Sequence, residues 1–187
     1  MGTRGCIGFY YEGKYYLVYI PFDAYLSGAG NDVINDILYL IKIYTIEEIK
    51  QKINLIDVEY NIREILSFLD SYSKEEILNF LEHPEKCDDE DLKDLIKYNS
   101  VEKLKNNLNK TLGTLDDQER TLFGLLKNGI IYDDCDQGIL KYIDDLPNPL
   151  YIHIMNIDDN TYECYYNKTS IVKIKFENLK ENLFESF

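Results

Sequence analysis

The chain of 187 residues has no tryptophan, three arginines, two histidines and four prolines, and no apolar run long enough to span a bilayer. Each scarcity excludes something. With few arginines and a formal net charge of -14, general attraction to nucleic acid or anionic lipid is disfavoured, because phosphate binding needs clustered cations that release counterions. The one modest basic group, Lys168, Lys173, Lys175 and Lys180, reads as a solvated strand edge. Cysteines 6, 87, 135 and 164 are widely spaced and form no CxxC pair, so neither a zinc site nor a disulfide framework is signalled, and a reduced, cytoplasmic setting is expected. No metal, cofactor or membrane partner is expected. Arg4 leads at once into a tyrosine-rich stretch where a signal peptide would have its apolar region, and Cys6 replaces the Ser or Thr of a myristoylation motif.

What is present is an apolar fraction of 45% with seventeen tyrosines, enough to bury one core. The bias to Ile, Asn, Lys and Tyr is that of an AT-rich gene. Two β-branched and aromatic segments, Cys6 to Tyr11 and Tyr15 to Ile20, flank Glu12-Gly13 and predict a hairpin with Tyr11 opposite Lys14, Cys6 opposite Tyr19 and Arg4 opposite Pro21.

From Asn31 the apolar period becomes helical, through Val33, Ile34, Ile37, Leu38 and Ile41. Thr45 to Glu48 and Ser73 to Glu76 are capping boxes, and further helices are predicted at 58–71, 73–82, 89–97, 100–110, 114–127 and 137–143. Leu146-Pro147-Asn148-Pro149 closes the helical region. Segments 150–157, 161–167 and 170–176 then read as a three-stranded meander, and Leu179, Leu183 and Phe184 give the tail an apolar side. The expectation is one α+β domain over 1–187, with an antiparallel sheet from both chain ends and a helical insertion at 45–145 covering one face.

Candidate chemistry gathers at the hairpin mouth. The register sets Asp23 diagonal to Arg4, which predicts an ion pair closing the hairpin or an anion pocket. Gly28-Ala29-Gly30 leads into a helix, whose free amides suit a phosphate or carboxylate or serve as a plain helix start. Thr3 and Cys6 are the potential nucleophiles there, yet both histidines are distant in sequence. His153 belongs to one strand face, and a four-residue hairpin loop is read as setting Cys164 opposite Met155 and diagonal to it, while a two-residue loop turns Cys164 to the other face. His83 reads as a helix-end residue, the acidic run at 87–91 as the first turn of a helix, and the run at 133–136 lacks the ligand order of a calcium loop.

Gly2, Thr3, Arg4, Gly5, Phe22, Asp23, Tyr25, Gly28 and Gly30, with a closing hairpin at Ile154 to Glu163, carry a resemblance. The chain resembles a family without an assigned reaction that occurs in large DNA viruses, bacteriophages and fungi and begins Met-Gly/Ser-Thr-Arg before a His-aromatic-Asp-x-Tyr-x-x-Gly-x-Gly pattern. It departs from that pattern at Pro21, where the family has His, and at Leu26, where the family has Pro. The start of the chain is also similar to that of N-terminal-nucleophile hydrolases. The expectation is a viral binding protein, acting in a virion or the host cytoplasm, with a protein partner at Thr3, Arg4, Asp23, Tyr25, Gly28 and Gly30. The alternative is a hydrolase or amide transferase using Thr3 or Cys6.

Overall fold

Tyrosine and β-branched residues on either side of Glu12-Gly13 form a hairpin whose two turn residues both take left-handed backbone, φ 49° and 73°. The computed structural model describes residues 3–110, 112, 121–131, 139–143 and 151–184. In chain order the elements are β1 (Gly5–Tyr11), β2 (Lys14–Ile20), a π-helical turn (Leu26–Gly30), α1 (Asn31–Ile43), α2 (Ile46–Ile53), β3 (Asp57–Val58), α3 (Glu59–Ser67), α4 (Lys74–Glu82), α5 (Glu90–Tyr98), α6 (Val101–Asn107), α7 (Leu122–Asn128), β4 (Ile130–Ile131), β5 (Ile139–Leu140), β6 (Tyr151–Asn156), β7 (Thr161–Tyr166) and β8 (Thr169–Lys175).

The hairpin register runs from Tyr11 opposite Lys14 to Cys6 opposite Tyr19, as the two-residue turn predicts. The main sheet has the order β5-β2-β1-β6-β7-β8, so both ends of the chain meet at its centre. The class is α+β. One junction differs from the expected antiparallel sheet: β6 lies parallel to β1, with Gly5 opposite Tyr151 and Phe9 opposite Met155. Parallel neighbours need a long crossover, which the helical middle supplies.

Both predicted capping boxes form, with Glu48 N–H donating to Thr45 Oγ1 at 3.2 Å and Glu76 N–H donating to Ser73 Oγ at 3.3 Å. The α1 stripe Val33, Ile34, Ile37 and Leu40 is buried against the sheet, together with Ile49 and Ile53 of α2 and Leu122 and Leu125 of α7. Each such side chain contributes about 2 kcal/mol by leaving water. Helices α3 to α6 build a second cluster around Ile65, Ile77, Leu92 and Leu104, within the 45–145 span but apart from the sheet core.

Helix 58–71 is realised as α3 followed by a 3-10 turn at Phe68–Asp70. Where a helix is expected at 137–143, the described residues Ile139–Leu140 instead form a strand that pairs with Tyr15 and Tyr16 at the sheet edge. Two apolar residues satisfy either period, and the open edge of β2 decides between them. The helix expected at 114–127 is described only from α7 onward, and residues 113–120 and 132–138 lie outside the described set. Of the two outcomes its spacing allows, packing back or fraying, the described part of the tail packs back, with Leu179 and Phe184 buried.

The two cores are joined by a buried polar contact. Asp57, on β3 beside β4, accepts from Val58 N–H at 2.9 Å, Asn61 Nδ2 at 2.8 Å and Asn107 Nδ2 at 2.9 Å, with Lys103 Nζ 3.5 Å away. Lys110 Nζ donates to the carbonyls of Leu55 at 3.1 Å and Gly129 at 2.7 Å, and burial pushes its ammonium down to about 8. Asp57→Asn sets an amide donor against those donors, so urea denaturation is expected to show a loss of about 3 kcal/mol.

Candidate functional site

The parallel β1–β6 pair places the chain start, the 21–30 loop and β6 side by side. Ala24 N–H donates to Thr3 O at 3.0 Å and Tyr151 N–H to Arg4 O at 3.4 Å, so backbone bonds stitch the hairpin mouth to its neighbours. The expected ion pair is absent. Arg4 and Asp23 are both exposed, and among the described residues no ion pair joins them. Solvated charges gain little from pairing, and main-chain bonds already fix the loop.

Asp23 takes left-handed backbone with φ 54°, and its carbonyl accepts from Ala29 N–H at 2.9 Å. Tyr25 O accepts from Gly28 N–H at 3.1 Å and Gly30 N–H at 3.2 Å, and the Asn31 amide bonds to the carbonyls of Leu26 and Gly28. Amides 28 to 31 are therefore spent on the backbone. The glycine bend is a helix start and not an anion cradle. A β-carbon on Gly28 would sit 2.3 Å from Asp23 O, which is why the tight turn requires glycine there.

Behind the loop lies a bond no local pattern announces. His153, fully buried on β6, contacts Ala24 O through Nε2 at 2.7 Å and the Tyr162 hydroxyl through Nδ1 at 2.8 Å. A carbonyl only accepts, so Nε2 carries the proton and Nδ1 receives the tyrosine O–H. Burial pushes the imidazolium down to about 4, and the ring lies nearly parallel to Tyr151 and Tyr162, at 5° and 17°. With both nitrogens engaged and the ring sealed in, His153 fixes the loop and is not placed to move protons. A β-carbon on Gly30 would come within 3.2 Å of this ring.

Cys164 lies directly opposite His153 on the same face, instead of diagonal to it as the longer loop predicts, because β6 and β7 pair Asn156 with Thr161. The thiol is no nucleophile: burial pushes it up to about 12. Cys6 is 2% exposed in the middle of the sheet, between Tyr19 and Ile152. Thr3, half-buried, sits at the loop with its carbonyl used. Asp89 caps α5 by accepting from Leu92 N–H at 3.0 Å, and the run at 133–136 lies outside the described residues. Among the described residues no group of three His, Cys, Asp or Glu side chains converges to hold a metal ion.

What faces solvent is aromatic. Phe22 is 68% exposed and Tyr25 is 40% exposed on the locked loop, beside Arg4 and Asp23. The sequence reading took Phe22 only as part of the resemblance. A second constellation, on the opposite face of the sheet, was missed altogether. Glu163 Oε1 accepts from Asn156 Nδ2 at 2.9 Å, Thr161 Oγ1 at 2.9 Å and Lys173 Nζ at 2.8 Å, and Oε2 accepts from the Tyr165 hydroxyl at 2.6 Å. Burial alone would raise this carboxyl, but the bonds from Lys173, Tyr165, Thr161 and Asn156 outweigh it and hold the group below its ordinary range. A carboxylate so satisfied ties β6, β7 and β8 together and has no lone pair facing a substrate.

Comparison with protein-family models, curated proteins and solved structures gives no match. Function must come from the chain's own chemistry.

His153 makes stability depend on pH in a defined window. Its folded value, about 4, lies below the ordinary 6.5, so the unfolded chain binds the proton more tightly between them. Stability is lost as pH falls from 6.5 to 4, by up to about 3 kcal/mol, and urea midpoints of His153→Phe should lack that share of the slope. Asp23→Asn should leave the melting curve within about 0.5 kcal/mol of the parent, whereas Asp23→Val, β-branched at a left-handed position, should lower stability by about 1–2 kcal/mol.

Proposed function

We propose that the chain is a non-enzymatic binding protein that grips another protein through the loop carrying Phe22 and Tyr25, with Thr3, Arg4 and Asp23 at its border. The observation that carries this is the exposure of two aromatic side chains, 68% and 40%, on a loop locked from behind by His153 and the spent amides of the glycine bend. Aromatic side chains supply large contact area, and holding them rigid lowers the entropy lost on association. Gly28 and Gly30 contribute by shaping the loop and not by touching a ligand.

A protein partner fits better than a polyanion, since the chain carries a net charge of -14. Among the described residues no helix is long and apolar enough to cross a membrane. Action in a virion or in host cytoplasm rests on the resemblance at Thr3-Arg4-Gly5 and Phe22 to Gly30. The hydrolase reading draws no support from the site, where Cys6 is buried and His153 has both nitrogens bonded.

The test pairs cross-linking mass spectrometry with binding assays on the partner so found. Phe22→Ser with Tyr25→Ser should weaken binding by about 2 kcal/mol or more while leaving the melting temperature unchanged, and Tyr60→Ser, on α3, should change neither. Intact-mass measurement covers the alternative: a mature chain beginning at Thr3 or Cys6 would turn the assignment toward the hydrolase.

A further inference from the structure

At the far end of α1, about 20 Å from the loop, the surface changes character. Tyr39 is 49% exposed and Ile43 is 41% exposed on one side of the helix, and Tyr39 packs edge to face on Phe123 of α7 with ring centroids 5.5 Å apart. Tyr44 and Phe123 line a shallow cleft whose remaining wall is Lys52, Leu126 and Lys127. Lys42 stands on the same turn as Tyr39 and Ile43.

In a chain with a net charge of -14, three cations stand at this surface. Like several other described lysines, Lys42, Lys52 and Lys127 form no ion pair among the described residues, and Lys52 rests over the Tyr44 ring. Glu48, one turn before Lys52, is held by Thr45 in its capping box. Each of the three lysines lies in the last turn of its helix, where a cation offsets the partial charge of the terminal carbonyls. That role does not require these ends to meet around exposed aromatic side chains.

We propose that this surface, Tyr39, Ile43 and Phe123 bordered by Lys42, Lys52 and Lys127, docks a short acidic segment of another polypeptide that carries an aromatic or aliphatic side chain among its carboxylates. Charge complementarity selects the acidic character and the exposed apolar strip selects the side chain. A nucleic acid fits less well. Lys52 Nζ lies over the face of Tyr44, 5.0 Å from the ring centroid, and Tyr39 and Phe123 meet at 73°, so no parallel pair of free ring faces is offered to successive bases. Three cations also release few counterions, against the repulsion of a strongly acidic protein. This docking is independent of the loop at Phe22.

The experiment is an amide-resolved NMR titration of the full chain with a synthetic peptide of about 12 residues repeating Asp-Leu-Glu-Phe, up to about 1 mM, beside an oligothymidylate of equal length. The peptide should shift amides of 39–44 and 122–127, more weakly as salt rises. Lys52→Glu with Lys127→Glu, and separately Tyr39→Ser, should each weaken it about tenfold or more while the amide spectrum outside the surface stays that of the folded parent, and Phe22→Ser with Tyr25→Ser should bind as the parent does. No shift in those segments, or equal binding by the charge-reversed variant, overturns the proposal. So does tighter binding of the oligothymidylate, which would make the surface a nucleic-acid site.

Discussion

β1 and β6 run side by side in the same direction, and the rest of the architecture is arranged to make that possible. A tight turn cannot join parallel neighbours, so the chain between Ile20 and Tyr151 has to cross to the other side of β1, and among its described residues only β5 joins the main sheet on the way. The chain uses that obligation to build its helices. α1, α2 and α7 cover one face of the sheet, while α3 to α6 fold against one another and attach through Asp57, Asn107, Lys103 and Lys110. The same pairing puts Ile7 opposite His153, and so sets the imidazole beneath the loop that follows β2.

Two buried polar groups show how hydrogen bonds hold this acidic chain together. His153 gives its only N–H to the Ala24 carbonyl and takes the Tyr162 hydroxyl, so a neutral ring fastens a loop to a strand without burying a charge. Glu163 buries a charge but surrounds it with four donors from three strands, one of them the Lys173 ammonium. Both groups are saturated. Neither therefore has a free donor or acceptor to turn toward a ligand.

The hairpin register was legible because a two-residue turn leaves only one counting, and the capping boxes because their pattern spans four residues. The α1 stripe and the tail were legible from apolar spacing. The direction of β6 was not, since alternation in a strand is the same whether its neighbour runs parallel or antiparallel. β5 is two residues long and has no period to read. The contact of His153 with Ala24 joins residues 129 apart in sequence, and Glu163 reads as a solvent-facing strand position until Asn156, Tyr165 and Lys173 are seen on the same face. Arg4 and Asp23 failed for the opposite reason: the register is right, but the exposure of both side chains depends on how the loop turns afterwards.

Both proposed surfaces hang on α1, and this constrains how they can act together. The helix starts inside the glycine bend, where amides 28 to 31 are closed by the loop's own carbonyls, and ends at the cluster of Tyr39, Ile43 and Lys42. Its buried stripe is fixed in the sheet core along the whole length, and Asn31 Oδ1 also accepts the Phe184 amide at 2.9 Å. Those ties describe one packing of α1, and coupling between distant sites needs a second. On the proposed reading α1 is a spacer that holds the two surfaces about 20 Å apart. Any cooperation between partners then comes from their being held near each other, through effective concentration and not through a change in this protein's shape.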